Sequence, residues 1–143
     1  MFTHLPLVGF WFVLIFNIFG LNKKNIELQK ISLWMYAILG ILAILAYTTG
    51  DGAGETVRTY PGINADIIET HEHWAQIFFS GIVLLAIAAI VGLRMSKKNE
   101  NTVRKFNIYI LIFSIIISFT TYETGVSGGK IRHPEIENGA LKK

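Results

Sequence analysis

Long apolar stretches alternate with short polar ones along this chain, and four of the apolar stretches are too long for ordinary core helices. They lie at about residues 5–22, 31–50, 71–94 and 105–125. Each comes near the roughly 20 residues an α-helix needs to cross the hydrocarbon of a bilayer. The pattern predicts an all-α fold, an integral membrane up-down four-helix bundle, with residues 1–143 as a single four-helix transmembrane domain.

Between the spans, glycines and charges mark the predicted ends. The second span closes on Thr49-Gly50-Asp51-Gly52-Ala53-Gly54 and the fourth on Thr124-Gly125-Val126-Ser127-Gly128-Gly129. Both are compositions that favour helix termini. A long polar segment, Asp51–Thr70, carries the turn signal Pro61-Gly62. Its second half reads as a capped helix start, with Asn64 as N-cap and Asp66, Glu69 and Glu72 in the first turns, so the third helix is expected to begin near Ala65. The shared glycine-rich endings would fit two helical hairpins of one design, but the matches are few and helix ends favour glycine in any case.

Charge fixes the expected orientation. Only 16% of residues are charged and 52% are hydrophobic, where a soluble domain carries about a quarter charged. Lys23, Lys24 and Lys30 lie in the first short loop, and Arg94, Lys97, Lys98, Arg104 and Lys105 in the third, with only Glu27 and Glu100 against them. The positive-inside rule puts both loops in the cytoplasm and both termini outside. The apolar N-terminus has no basic n-region, so it reads as a retained first helix and not as a cleaved signal.

Several chemistries are excluded. The chain has no cysteine, hence no disulfide, iron–sulfur ligation, thiolate metal site or covalent c-type haem. It has no P-loop, dinucleotide fingerprint or nucleophile elbow. No basic patch interleaves with aromatics, so nucleic acid is not an expected partner. Within the spans no ionisable pathway suggests a pump or channel.

What remains is histidine. His4, His71, His73 and His133 all fall at the outer ends of the spans, where imidazole is a candidate metal or haem ligand. Counting up from the basic loops at about 1.5 Å per residue puts His4, His73, Gly50 and Gly125 at one level, about 25–32 Å up. His71 sits just above, and His133 higher still unless the chain turns at Gly128-Gly129. In an up-down bundle the first and third helices are diagonal partners, so histidines occupy one diagonal and glycine-rich ends the other. A haem between helices needs two imidazoles from opposite faces and small residues beside the macrocycle. Gly50, Gly54 and Arg58 recur at four-residue spacing, as do Gly125, Gly129 and His133. Arg58, Lys130 and Arg132 could pair with the propionates.

The residues therefore suggest a membrane b-type cytochrome-like protein: haem b held near the outer face by His4 and by His71 or His73, for electron transfer. His71 and His73 point to nearly opposite helix faces, so only one serves a given iron. A second reading uses the neighbouring carboxylates Glu55, Glu69, Glu72 and Glu135 with histidine to bind or transport a divalent transition metal such as zinc, iron or copper. Ala75, not histidine, stands four residues after His71, so the helical H-E-x-x-H zinc signature is absent. A third reading is a structural subunit whose small-residue faces pack against partner helices.

The motifs resemble a known family. The H-x-P opening at His4-Leu5-Pro6, Gly54-Glu55-Thr56-Val57, Ile68-Glu69-Thr70-His71-Glu72, and the ending Thr124-Gly125 through Gly128-Gly129-Lys130-Ile131-Arg132-His133-Pro134-Glu135-Ile136 are similar to a widespread family of uncharacterised bacterial four-helix membrane proteins, a domain of unknown function. The resemblance implies a multi-pass protein of the bacterial inner membrane. Some similar domains are fused to Rieske-type modules, which implies a redox role. The family pattern picks out His4, His71 and His133, with Glu72 and Glu135 beside them, and not His73. It thereby favours His4 and His71 as the iron pair, with His133 as third candidate. Many relatives carry a further upstream histidine that this chain lacks. The expected partners are the bilayer, a quinol or periplasmic electron acceptor, and a respiratory or other redox complex; the expected role is electron carrier, with no catalytic residue.

Overall fold

The computed structural model describes residues 5–58, 65–96 and 99–132, with side chains for all of these except 50–58, 96 and 132. Four helices account for them: α1 (Leu5–Asn22), α2 (Ile26–Arg58), α3 (Ala65–Ser96) and α4 (Glu100–Arg132). There is no strand among the described residues. All four helices are long and apolar enough to cross a membrane.

The basic loops are tighter than the charge pattern predicts. Asn25 N–H donates to Gly20 O and Lys24 N–H to Leu21 O, a Schellman closure that ends α1 and places Lys24 in the left-handed region at φ 51°. Asn25 then caps α2 at once, its Oδ1 accepting from Glu27 N (2.9 Å) and Leu28 N (3.1 Å). Asn99 does the same for α4 through Asn101 N at 2.9 Å.

The glycine-rich endings do not end helices. α2 runs through Gly50, Gly52 and Gly54 to Arg58, and α4 runs through Gly125, Gly128 and Gly129 to Arg132. A glycine terminates a helix by turning left-handed, and the three in α4 keep right-handed backbone. Nor does the chain turn at Gly128-Gly129 to lower His133. At 33 residues each, α2 and α4 reach about 50 Å, well beyond the hydrocarbon thickness. α3 starts at Ala65 as its acidic first turn predicts; the proposed N-cap Asn64 lies outside the described residues.

Each helix packs on its neighbour in sequence, and α4 returns against α1 to close the bundle. The backbones of α2 and α4 approach across the middle, whereas α1 and α3 meet through side chains, Phe10 against Phe78 edge to face at 5.9 Å. The cross-section is a rhombus whose long diagonal joins α1 to α3. Phe10, Leu33, Tyr36, Leu39, Phe78, Ile82, Leu85, Ile110 and Ile117 fill the core. Small residues set the spacing: a Cβ on Gly40 would collide with Ala86, and one on Gly81 would sit 2.7 Å from Ile117 Cδ1. Val8, Phe12, Ile15, Ile41 and Ile116 face outward, as lipid contact requires.

Candidate functional site

On α3 the positions turned inward follow a heptad: Ile68, His71, Ala75, Phe78, Ile82, Leu85 and Ala89. His71 shares the face of the core phenylalanine and isoleucine below it. Half-buried, it meets α4. Its Nδ1 lies 3.2 Å from Thr124 O and 3.1 Å from Ser127 Oγ. The carbonyl can only accept, and the Ser127 hydroxyl donates at 2.7 Å to Glu123 O. Nδ1 is therefore the donor, and in the neutral tautomer this leaves the lone pair on Nε2.

α4 makes room for that ring with a glycine that the spacing argument had not assigned to the site. A Cβ on Gly128 would lie 3.1 Å from His71 Cε1. Gly125 faces elsewhere, its Cβ position 3.7 Å from Leu7 Cδ2 on α1, and Gly129 meets nothing within 4 Å. Of the other expected site residues, His4 and His133 lie outside the described residues. Gly50, Gly54 and Arg58 are described only as helical backbone of α2, and Arg132 only as the backbone end of α4.

His73 goes its own way. Exposed, it makes an edge-to-face contact with Trp74 at 5.7 Å. It heads a shallow lipid-side groove of about 460 Å³ between α3 and α4, shared with Gln76, Ser80 and Thr120. Glu69 and Glu72 are exposed. No group of three or more potential metal ligands gathers among the described residues.

At the basic end a second polar centre is fully internal. Asn107 Nδ2 donates to Gln29 O (3.2 Å) and Val103 O (2.9 Å), its Oδ1 accepts from Ser32 Oγ, and its backbone carbonyl accepts from Asn17 Nδ2 at 3.4 Å. Tyr36 and Ser114 bond one another at 3.0 Å one layer higher. Asn17 Oδ1 and Gln29 Oε1 are buried without a donor in the described structure. Hydropathy alone does not disclose this centre. Its signal was present: Asn107, Ser114, Thr121 and Gly128 stand seven residues apart and alternate with Val103, Ile110, Ile117 and Thr124, which puts a polar stripe on the inner face of α4. The stripe ends at His71.

The family model described as "Predicted membrane protein (DUF2231)" matches residues 1–133. No curated protein and no solved structure matches the chain.

Proposed function

The chain belongs to the DUF2231 family of predicted membrane proteins, and we propose a redox role for it at the histidine end: a haem b held by His71 and His4, carrying electrons between a membrane quinol and a periplasmic acceptor. The observation that carries the reading is the anchored imidazole. A ligating histidine characteristically donates its other ring N–H to a carbonyl or hydroxyl, which fixes the tautomer and raises ligand basicity. His71 does so on Thr124 O and Ser127 Oγ.

The described residues fit the group in two further respects. Above the Phe10–Phe78 ring contact that bridges them, the backbones of α1 and α3 stay apart across the long diagonal, and Gly125 and Gly129 keep the adjoining face of α4 low. Leu7 meets that face, and His4 precedes it by three residues, one helical turn in sequence spacing. Bound there, haem b would supply a single reversible electron as its iron alternates between ferric and ferrous. Thr124 and Ser127 hold the His71 proton on Nδ1, and Gly128 lets the ring lie close against α4.

A visible spectrum of the purified protein, oxidised and dithionite-reduced, tests this directly. The expected result is a six-coordinate low-spin b-type spectrum that His71→Ala and His4→Ala each abolish and His73→Ala leaves intact. Gly128→Leu, which must push the His71 ring aside, should lower haem occupancy several-fold. Absence of a Soret band after expression with ample haem would sink the reading, as would an unchanged spectrum in His71→Ala. Metal analysis of a haem-free preparation would then test the divalent-metal alternative.

A further inference from the structure

We propose that the basic end of the bundle, where the α1–α2 turn meets the start of α4, is a binding site for the phosphate headgroup of an anionic phospholipid. The first sign is backbone strain. Lys24 is the one non-glycine residue with positive φ among those described, at 51°. It occupies the Schellman position that helices ordinarily give to glycine. A side chain kept at a conformational cost points to a use for that side chain.

The second sign is unneutralised charge gathered from two loops. Asn107 ties α4 to Gln29 and Ser32 of α2 and to Asn17 of α1, so exposed Arg104 and Lys105 stand at the same end as Lys23 and Lys24. Glu100 in the first turn of α4 brings one carboxylate to this end. Among the described residues the only ion pair is Lys30 with Glu27, at 2.8 Å. Lys23, Lys24, Arg104 and Lys105 form no ion pair among the described residues. Four cations that outnumber the nearby carboxylates and form no ion pair among the described residues complement a phosphodiester.

A lipid fits better than free phosphate because of what lies directly below. Lys23 Nζ sits 5.7 Å over the Phe19 ring, and Phe19, Ile18 and Ile15 form an exposed apolar strip descending α1. Such a strip suits acyl chains while the lysines reach the headgroup.

The full chain, purified in mild detergent and supplied with phosphatidylglycerol, phosphatidylcholine or inorganic phosphate, supplies the test by thermal melting and native mass spectrometry. Phosphatidylglycerol should raise the melting temperature and leave bound lipid, whereas phosphatidylcholine and inorganic phosphate should not. Lys23→Gln with Lys24→Gln should weaken lipid binding by about fivefold per lysine. Lys30→Gln removes the same charge from the paired lysine and should change it little. Lys24→Gly should melt higher than the parent in phosphatidylcholine, because glycine relieves the strain, yet lose much of the gain from phosphatidylglycerol. The proposal fails if the double variant keeps the full gain. It fails equally if Lys30→Gln loses as much, which would mean diffuse attraction, or if inorganic phosphate stabilises as well as the lipid does.

Discussion

At the scale of single residues, side chains of the same chemical type do different work according to which heptad position they occupy. His71 falls on the inner stripe of α3 and is anchored to α4; His73, two residues on, faces outward beside Trp74. That split was legible in the sequence, because two residues on a helix differ by about 200°. The buried amides were not read, since Asn and Gln in apolar runs give no hydropathy signal of their partners. Asn107 and Asn17 are both fully buried, but they are not equivalent. Asn107 is bonded to three helices, whereas Asn17 makes one long bond and leaves Oδ1 without a donor. Replacing Asn107 by Leu should cost about 1–3 kcal/mol by stranding its partners. Asn17→Leu should be near neutral or mildly stabilising, because it removes an orphaned acceptor along with a weak bond. Detergent-solubilised unfolding curves of the two variants check this; equal losses would contradict the assignment of Asn107 as the centre.

At the scale of elements, glycine composition misled and packing geometry explains why. The endings at Gly50–Gly54 and Gly125–Gly129 look like helix stops, yet both helices run on. Glycine permits a left-handed exit without compelling one, and helical backbone suits it where a neighbour or ligand approaches closely. The glycines with the tightest structural constraint are others, Gly40 against Ala86 and Gly81 against Ile117, whose role no local pattern discloses. The contrast is measurable. Gly40→Ala should destabilise the α2–α3 contact by about 1–3 kcal/mol, since rigid backbone carries Ala86 and cannot retreat. Gly129→Ala, helical and open on every side, should stabilise by about 0.5–1 kcal/mol by restricting the unfolded chain. If Gly129→Ala leaves stability raised but lowers haem content, the glycine serves clearance; if both are unharmed, it serves neither.

At the scale of the whole molecule, four spans were legible because hydrocarbon thickness imposes a length on every crossing helix. The rhombic section was not, because which diagonal closes depends on interhelical packing that periodicity does not encode. The resulting bundle is polar at its two ends in different ways. One end holds a sealed amide network beneath a ring of lysines and arginines, and the other holds an anchored imidazole beside glycines. Our proposal needs these ends on opposite sides of the membrane, with the basic one in the cytoplasm. That orientation is the one the positive-inside rule predicts from eight basic residues in and beside two short loops, and the chain offers a clean way to measure it because it contains no cysteine. Single cysteines can be placed at exposed Asn101, beside the second basic loop, and at Ala140 in the C-terminal tail. In intact cells with the outer membrane made permeable, a charged maleimide should label Ala140→Cys at once and Asn101→Cys only after the inner membrane is breached. The reverse pattern would move the histidine end to the cytoplasm, remove the periplasmic acceptor from the proposed electron path, and put the lysine-rich end in the outer leaflet.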